Sequence, residues 1–180
     1  MTALPDGLTT GTWTLDPTHS AASFTVRHAG ISKVRGQFTE LEGSLKVGET
    51  LEDSTIEATI QVASITTGNQ QRDDHLRSTD FFAAEQFPTI RFVSTKITDD
   101  ELVGELTMHG VTKEVTLELD YAGAATDPFG VYRAGFEGST TISRKEFGLT
   151  WNAALEAGGV LVSDEVKISI EAEFTAPTAA

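Results

Sequence analysis

The chain is 180 residues long, contains no cysteine and carries a formal charge of −14. Its length suits one well-buried domain, and the lack of cysteine excludes disulfides, thiolate chemistry and cysteine-bearing metal sites. The acidity argues against nucleic acid and against an anionic membrane surface as partners, because both are bound through Lys and Arg; it suits a well-solvated exterior.

Met1 to Gly11 has neither the basic start nor the apolar core of a secretory signal, and no apolar run approaches a membrane span. A cytoplasmic protein without stable membrane insertion is the expectation. Residues 1–9 read as a flexible N-terminus, 10–175 as a single β-barrel domain and 176–180 as a flexible tail. A short strand passes through Trp13 and Leu15 and stops at Asp16-Pro17. From Ser20 onward Ala22, Phe24, Val26 and His28 share one face of a strand, and Ser23, Thr25 and Arg27 the other.

After Gly30, Gly36 and Phe38 keep the even phase while Leu41, Gly43, Leu45 and Val47 take the odd one. A β-bulge at Thr39-Glu40 accounts for the slip. Ile56, Ala58, Ile60 and Val62 then alternate cleanly with Thr55, Glu57, Thr59 and Gln61. Residues 70–86 break the pattern: Glu, Gln, Arg, Leu and Ala favour one short helical insertion. The strand at 89–98 has apolar residues in both phases (Ile90, Phe92, Val93, Ile97), so its faces are undetermined.

Leu102, Leu106 and Met108 form the next strand, His109-Gly110 a two-residue hairpin turn, and Val111, Val115, Leu117, Leu119 and Tyr121 the return. A turn at Asp127-Pro128-Phe129-Gly130 leads into a long strand with Tyr132, Ala134, Phe136, Gly138, Thr140 and Ile142 on one face. A Gly- and Ala-rich loop over 144–162 precedes the last strand, whose apolar face is Val166, Ile168, Ile170, Ala172 and Phe174.

Each strand is half apolar and half polar, and no second helical layer exists to cover the dry face. The chain must cover it with itself, so the fold class is all-β. The strands are long, which favours a closed antiparallel barrel of about eight strands over a sandwich. Gly43, Ala58, Gly104, Ala134 and Gly138 fall on the inward phase. They either leave room for an apolar ligand or only bend the sheet.

No residues converge into a catalytic or metal pattern. Among the four histidines no pair is spaced i, i+4, and consecutive Asp73, Asp74 and His75 splay around a helix. There is no G-x-S-x-G elbow. His28, in phase with Phe24 and Val26, should point into the dry interior, as a neutral imidazole held by one hydrogen bond or as a functional group. His19 reads as a turn organiser and His109 as an exposed hairpin residue. Arg72, Arg77, Arg144 and Lys145 flank the two non-strand segments, to hold an anionic head group or to pair with Asp73, Asp74, Asp80 and Glu146.

The motifs together resemble one family. Trp13-Thr14-Leu15-Asp16-Pro17-Thr18-His19-Ser20, Phe24-Thr25-Val26-Arg27-His28, Arg72-Asp73-Asp74-His75-Leu76-Arg77, Phe81-Phe82 and Phe87-Pro88 are similar to those of the YceI-like polyisoprenoid-binding proteins. So are residues 104–113, 142–148 and 163–168, and the matches run in order through the ordered chain. The resemblance implies a lipocalin-like barrel whose interior takes up a long isoprenoid or similar amphiphile, often as a homodimer. It supplies no catalytic residues, and an exported role does not carry over.

The expectation is therefore a carrier or sequestering protein, not an enzyme, for a polyisoprenoid, isoprenoid quinone or other long-chain lipid. The cavity would be lined by Phe24, Val26, His28, Phe38, Ile56, Ile60, Leu106, Met108, Leu117, Phe136, Ile142, Ile168 and Ile170, with Phe81 and Phe82 plugging one end. No cofactor and no metal is called for. At about 25 cal/mol per Å² of apolar area such a chain binds without polar contacts, and the acidity favours a neutral head group over a pyrophosphate. An enzyme using His28 as acid or base in the same cavity is the alternative.

Overall fold

The computed structural model describes residues 3–156 and 158–177. Its strands are β1 (Gly11–Leu15), β2 (Ala21–His28), β3 (Ser32–Phe38), β4 (Leu41–Val47), β5 (Thr55–Gln61), β6 (Ile65–Thr66), β7 (Thr89–Ile97), β8 (Glu101–Met108), β9 (Val111–Thr126), β10 (Tyr132–Ser143) and β11 (Val162–Thr175). One α-helix, α1 (Gln70–Arg77), lies between β6 and β7. The sheet order is β1-β4-β5-β7-β8-β9-β10-β11, and β1 pairs with β11 to close it. Eight strands thus form the closed antiparallel barrel that the alternation predicts, with the lipocalin-like architecture that the resemblance implies.

β2, β3 and β6 extend three of these staves rather than adding new ones. β1 and β2 both pair with β11, through Leu15↔Phe174 and Ala21↔Glu171. Between them Pro17, which has no N–H to give the ladder, starts a single 3₁₀ turn, and the Asp16 carboxylate accepts the Thr18 amide. β3 pairs with β2 and β6, whereas β4 pairs with β1 and β5. Thr39-Glu40 is therefore a corner where the chain changes partners, not the expected bulge in one strand. A corner and a bulge slip the phase by the same one residue.

True bulges occur elsewhere. A register shift between Ser94 and Lys96 moves the inward phase of β7 from Ile90 and Phe92 to Ile97, which explains its two-phase apolar pattern. Another, between Gly135 and Phe136, lets Ala124 face inward behind Tyr121 on β9. His109 and Gly110 have φ of 55° and 75°, the two positive values that a two-residue I′ hairpin requires.

The helix is shorter than the expected 70–86. Asn69 caps the Arg72 amide, and the last turn ends at Ser78, which donates from both its amide and its hydroxyl to the His75 carbonyl. The Phe82 and Ala84 amides then return to the Leu76 and Arg77 carbonyls, so residues 78–86 form turns that satisfy the end of the helix.

Two apolar clusters occupy the barrel's length. One contains Trp13, Leu45, Ile97, Leu117 and Phe174; the other contains Phe38, Ile65, Ile90, Met108 and Phe147. The N-terminal segment, expected to fray, packs on the first. Leu8 is 5 % exposed, and the Tyr121 and Tyr132 hydroxyls donate to the Asp6 and Gly7 carbonyls. Leu4 and Leu8 carry no alternation for a sequence to show. At the other terminus Ala176 donates to the Tyr132 carbonyl, and residues 178–180 lie outside those described.

Candidate functional site

Alternation brings apolar side chains from every stave to the barrel axis, but they do not fill it. A cavity of about 190 Å³ remains between the two clusters. Phe24, Phe136, Ile56, Ile60, Ile168 and Ile170 line it from four strands, and Leu8 and Leu15 border it near the N-terminus. These walls are only half-buried because they face the void.

Glycine placement decides where that space lies. A Cβ on Gly36 would fall 2.3 Å from Cζ of Phe24, and one on Gly104 would fall 2.5 Å from Cζ of Phe92. Both rings lie flat over these glycines and are held against the wall instead of crossing the axis. At Gly138, a lining residue, the nearest atoms a Cβ would meet are Leu117 Cδ2 at 3.4 Å, Glu118 O at 3.7 Å and Ile170 Cβ at 3.9 Å. Space is left there and not at Gly36.

The cavity wall is chemically bare. Of the lining residues Ser23, Ser54, Glu57 and Thr140 are polar. The Ser54 hydroxyl donates to Thr50 O and accepts from the Gly48 amide. Glu57 directs its carboxylate outward to Arg91, 3.2 Å away. No buried side-chain nitrogen or oxygen among the described residues lacks a hydrogen-bond partner. Among the described residues no Lys or Arg lines the wall to hold an anionic head group.

Four charged groups flanking the non-strand segments, Arg72, Asp73, Arg77 and Arg144, hold backbone. Arg72 donates to Thr67 Oγ1 and O, and buried Asp73 accepts the Thr67 amide and hydroxyl. Arg77 bonds the Ala63 and Ile65 carbonyls and pairs with Asp74 at 3.1 Å. Arg144, 4 % exposed, spends its guanidinium on the carbonyls of Leu149, Val162 and Ser163. Burial pulls its pKa below the ordinary arginine value, against the opposing pull of Asp164. None of these cations projects free into the cavity.

At the N-terminal end Arg133 joins Asp16, Asp127 and Glu173, and His19 bonds Asp16 at 2.9 Å. Hydrogen bonds from His19 and Thr18, with Arg133 behind them, hold the Asp16 carboxyl far below the usual carboxylate range. A hydrogen bond from Arg133, helped by the Val131 amide, also lowers the pKa of the Asp127 carboxyl. Asp16, His19 and Glu173 cluster closely enough for a cation, but Arg133 already stands there, paired with Asp16 and 3.8 Å from Glu173. His19 is thus the turn organiser it was expected to be. His109, expected to be exposed, is half-buried; since a carbonyl only accepts, its Nδ1 carries the proton that bonds Phe147 O at 3.1 Å.

Of the residues named from sequence, Phe24, Phe38, Ile56, Ile60, Leu106, Met108, Leu117, Phe136, Ile168 and Ile170 lie on the cavity wall. Val26 and Ile142 share the inward phase but lie off it, Ile142 within the second cluster. His28 also keeps that phase, opposite Ser32 and Val162, yet it is exposed. The β2–β3 hairpin runs past the barrel rim there, so the inward face no longer faces an interior. The alternative that used His28 as acid or base inside the cavity loses its residue.

Phe82 stands edge-on to Phe38, with ring centres 5.9 Å apart, and abuts the second cluster. Phe81 is buried instead between α1 and the 149–161 segment. Its ring centre is 5.1 Å from that of His75 and 5.2 Å from that of Trp151. Trp151 also meets His75 at 4.8 Å, and His75 Nε2 lies 2.9 Å from Asp80. Wall residues such as Leu45, Phe92, Ile97 and Leu102 escaped the sequence reading of the site. Leu45 and Leu102 had the right phase; Phe92 and Ile97 needed the bulge.

The fold has known counterparts. The profile of the YceI-like domain matches residues 13–174. A UPF0312 protein of Staphylococcus aureus (strain USA300) is 36 % identical over 166 residues, which is 91 % of this chain and 96 % of that protein. The Campylobacter jejuni YCEI protein is 29 % identical, with TM-score 0.70 over 84 % of this chain and 90 % of that one. Two more distant structures share the fold. BcnA of Burkholderia cenocepacia is 23 % identical, with TM-score 0.76 over 88 % of this chain and 98 % of that one. A polyisoprenoid binding domain from Saccharophagus degradans is 15 % identical, with TM-score 0.68 over 92 % and 98 %. With the profile covering nearly all of its barrel and such a relative matching almost end to end, this chain belongs to the YceI-like domain family.

Proposed function

We propose that the barrel binds a long-chain apolar amphiphile, a polyisoprenoid, isoprenoid quinone or similar lipid, as a carrier or sequestering protein. The observation that carries this reading is an axial cavity walled almost entirely by aliphatic and aromatic side chains, with no Lys or Arg among the described wall residues. The polyisoprenoid-binding domain from Saccharophagus degradans, which has the same fold, supports it. Binding comes from apolar area at about 25 cal/mol per Å², so tails of similar length are poorly distinguished.

Size adds a requirement. A cavity of about 150 Å³ suffices for benzene, and this one is about 190 Å³. A long chain therefore enters only if other wall side chains turn aside, since Phe24 and Phe92 already lie back against their glycines. The head group is neutral, since Arg72, Arg77 and Arg144 are spent on carbonyls, hydroxyl and Asp74. Titration with a polyprenol and with its pyrophosphate at physiological salt tests this. The polyprenol binds more tightly; equal or tighter binding of the pyrophosphate overturns the head-group assignment, and failure of both to bind overturns the lipid reading.

A further inference from the structure

The charge of −14 conceals a local excess of the opposite sign. On the outer face of β2, Arg27 stands directly across from Lys33 of β3. Thr25, two residues along, stands between Arg35 of β3 and Lys167 of β11. These are two adjacent rows of one sheet, about 7 Å apart, with about 10 Å between Lys167 and Arg35. All four cations are exposed, and among the described residues none has an ion-pair partner. Glu165 is the acid closest along β11 and forms no ion pair with them.

A like-charged cross-strand pair costs stability, and a chain with 27 acidic and 13 basic residues could easily have avoided it. Lys and Arg on β3 have a bland explanation, because residues 32–36 leave one edge of β3 unpaired and charged edges prevent aggregation. That does not account for Arg27 or Lys167. They sit on β2 and β11, strands paired on both sides.

The same end carries exposed apolar side chains. Ile31, at the tip of the β2–β3 hairpin, is 84 % exposed, and Val160 is 52 % exposed. They flank the hydrogen bond from the Ala29 amide to Leu161 O that joins the hairpin to the 149–161 segment. Behind the tip, the inner face of the hairpin leads through Val34 and Val26 to Phe24 in the cavity wall.

We propose that the β2–β3 hairpin, with Ile31 at its tip and Arg27, Lys33, Arg35 and Lys167 behind it, docks this end of the barrel reversibly on an anionic lipid bilayer. This rests on the lipid reading of the cavity, because such a cargo is collected from or returned to a bilayer. The global charge does not oppose it. Glu165, about 7 Å from Lys167, offsets one of the four cations and leaves the patch positive, while Glu171 and Glu173 lie about 13 to 20 Å down β11 from Lys167, beyond the Debye length of about 8 Å at physiological salt. The acids at the far end instead orient the barrel, cationic end toward the surface. The docking is peripheral and involves no spanning segment.

Each cation near an anionic leaflet contributes roughly a five-fold factor in binding. The test is sedimentation of the ligand-free protein with vesicles of phosphatidylcholine containing phosphatidylglycerol, against phosphatidylcholine alone. The wild type binds the anionic vesicles preferentially and releases them at high salt. Lys33→Glu with Arg35→Glu lowers that binding by at least ~25-fold, and Ile31→Ser weakens it further. Lys33→Glu places an acid opposite Arg27, so the fold is not threatened, and an unchanged melting temperature verifies that. Equal binding to both vesicle types, or a double variant that binds like wild type, overturns the proposal. So does a patch occupied by duplex DNA or by a second copy of the chain, seen as wild-type binding or self-association lost in the variant without vesicle binding. Uptake of detergent-dispersed polyprenol is measured separately. The double variant retains it, and its failure in the wild type would strike the lipid reading while leaving the vesicle result standing.

Discussion

Gly138→Leu tests whether the space on the axis is usable. Gly138 lies on the inward phase of β10, and the Cβ contacts there are ordinary van der Waals distances of 3.4 to 3.9 Å. The new side chain therefore projects into the cavity and adds four carbons of buried apolar matter. At about 0.8 kcal/mol per methylene-sized group this is worth ~3 kcal/mol at most, and removing a strand glycine adds about 0.5 kcal/mol or more. Allowing for imperfect packing, the empty protein gains about 1 to 3 kcal/mol, or roughly 2 to 10 °C in melting temperature. A ligand loses the same four-carbon volume, which weakens it by about 100-fold at 1.4 kcal/mol per decade. Thermal unfolding without ligand and titration with a fluorescent farnesyl probe read both quantities. A higher melting temperature with unchanged probe affinity would refute the reasoning, because the cavity would be filled without touching the ligand; a fall in melting temperature would deny the space itself.

The companion substitution Gly36→Ala behaves oppositely. Its Cβ lands on the Phe24 ring and drives it from its seat, costing about 1 to 3 kcal/mol of overpacking; a melting temperature equal to wild type would contradict the ring-over-glycine account. His28→Gln leaves both stability and probe uptake near wild type, since the ring is exposed at the rim, and a ten-fold loss of uptake would restore it to the site. Phe81→Ala removes a buried ring that locks Trp151 to α1 and lowers stability by about 3 kcal/mol or more, while Phe82→Ala speeds probe release; unchanged stability and release kinetics would remove this stretch from the account. Asp16, Asp127 and Asp164 all have pKa values held down in the folded state, so the stability they supply is present above the unfolded carboxylate value of about 3.9 and is lost as pH falls. The melting temperature should stay level from pH 7 to about 5 and drop below ~4, with a smaller drop in Arg133→Met, which has already lost the cation behind Asp16 and Asp127; stability that rises on acidification would contradict the sign.

The barrel was legible because the two-residue period survives in β5, β10 and β11, and in β9 as far as Tyr121. It failed where the chain leaves the ladder. Thr39-Glu40 produced the phase slip of a bulge, and only the exchange of β2 and β6 for β1 and β5 as partners reveals a corner. Phase also told which way His28 points but not that β2 and β3 outrun the barrel, which depends on where the neighbouring strands stop. Leu8 reaches the cavity from a segment with no periodicity, held by tyrosines more than a hundred residues away. The cationic rows were invisible for a similar reason. Lys167 lies far along the chain from Arg27, Lys33 and Arg35, and the total charge averages them away.

The central claim is that the axial cavity holds a long apolar molecule. Native mass spectrometry of the freshly purified chain, before and after addition of a polyprenol, tests it most directly. The account predicts a complex heavier than the bare chain by the mass of one lipid, with Gly138→Leu depleted of it. A wild-type protein that travels bare and takes up no added polyprenol would contradict the account.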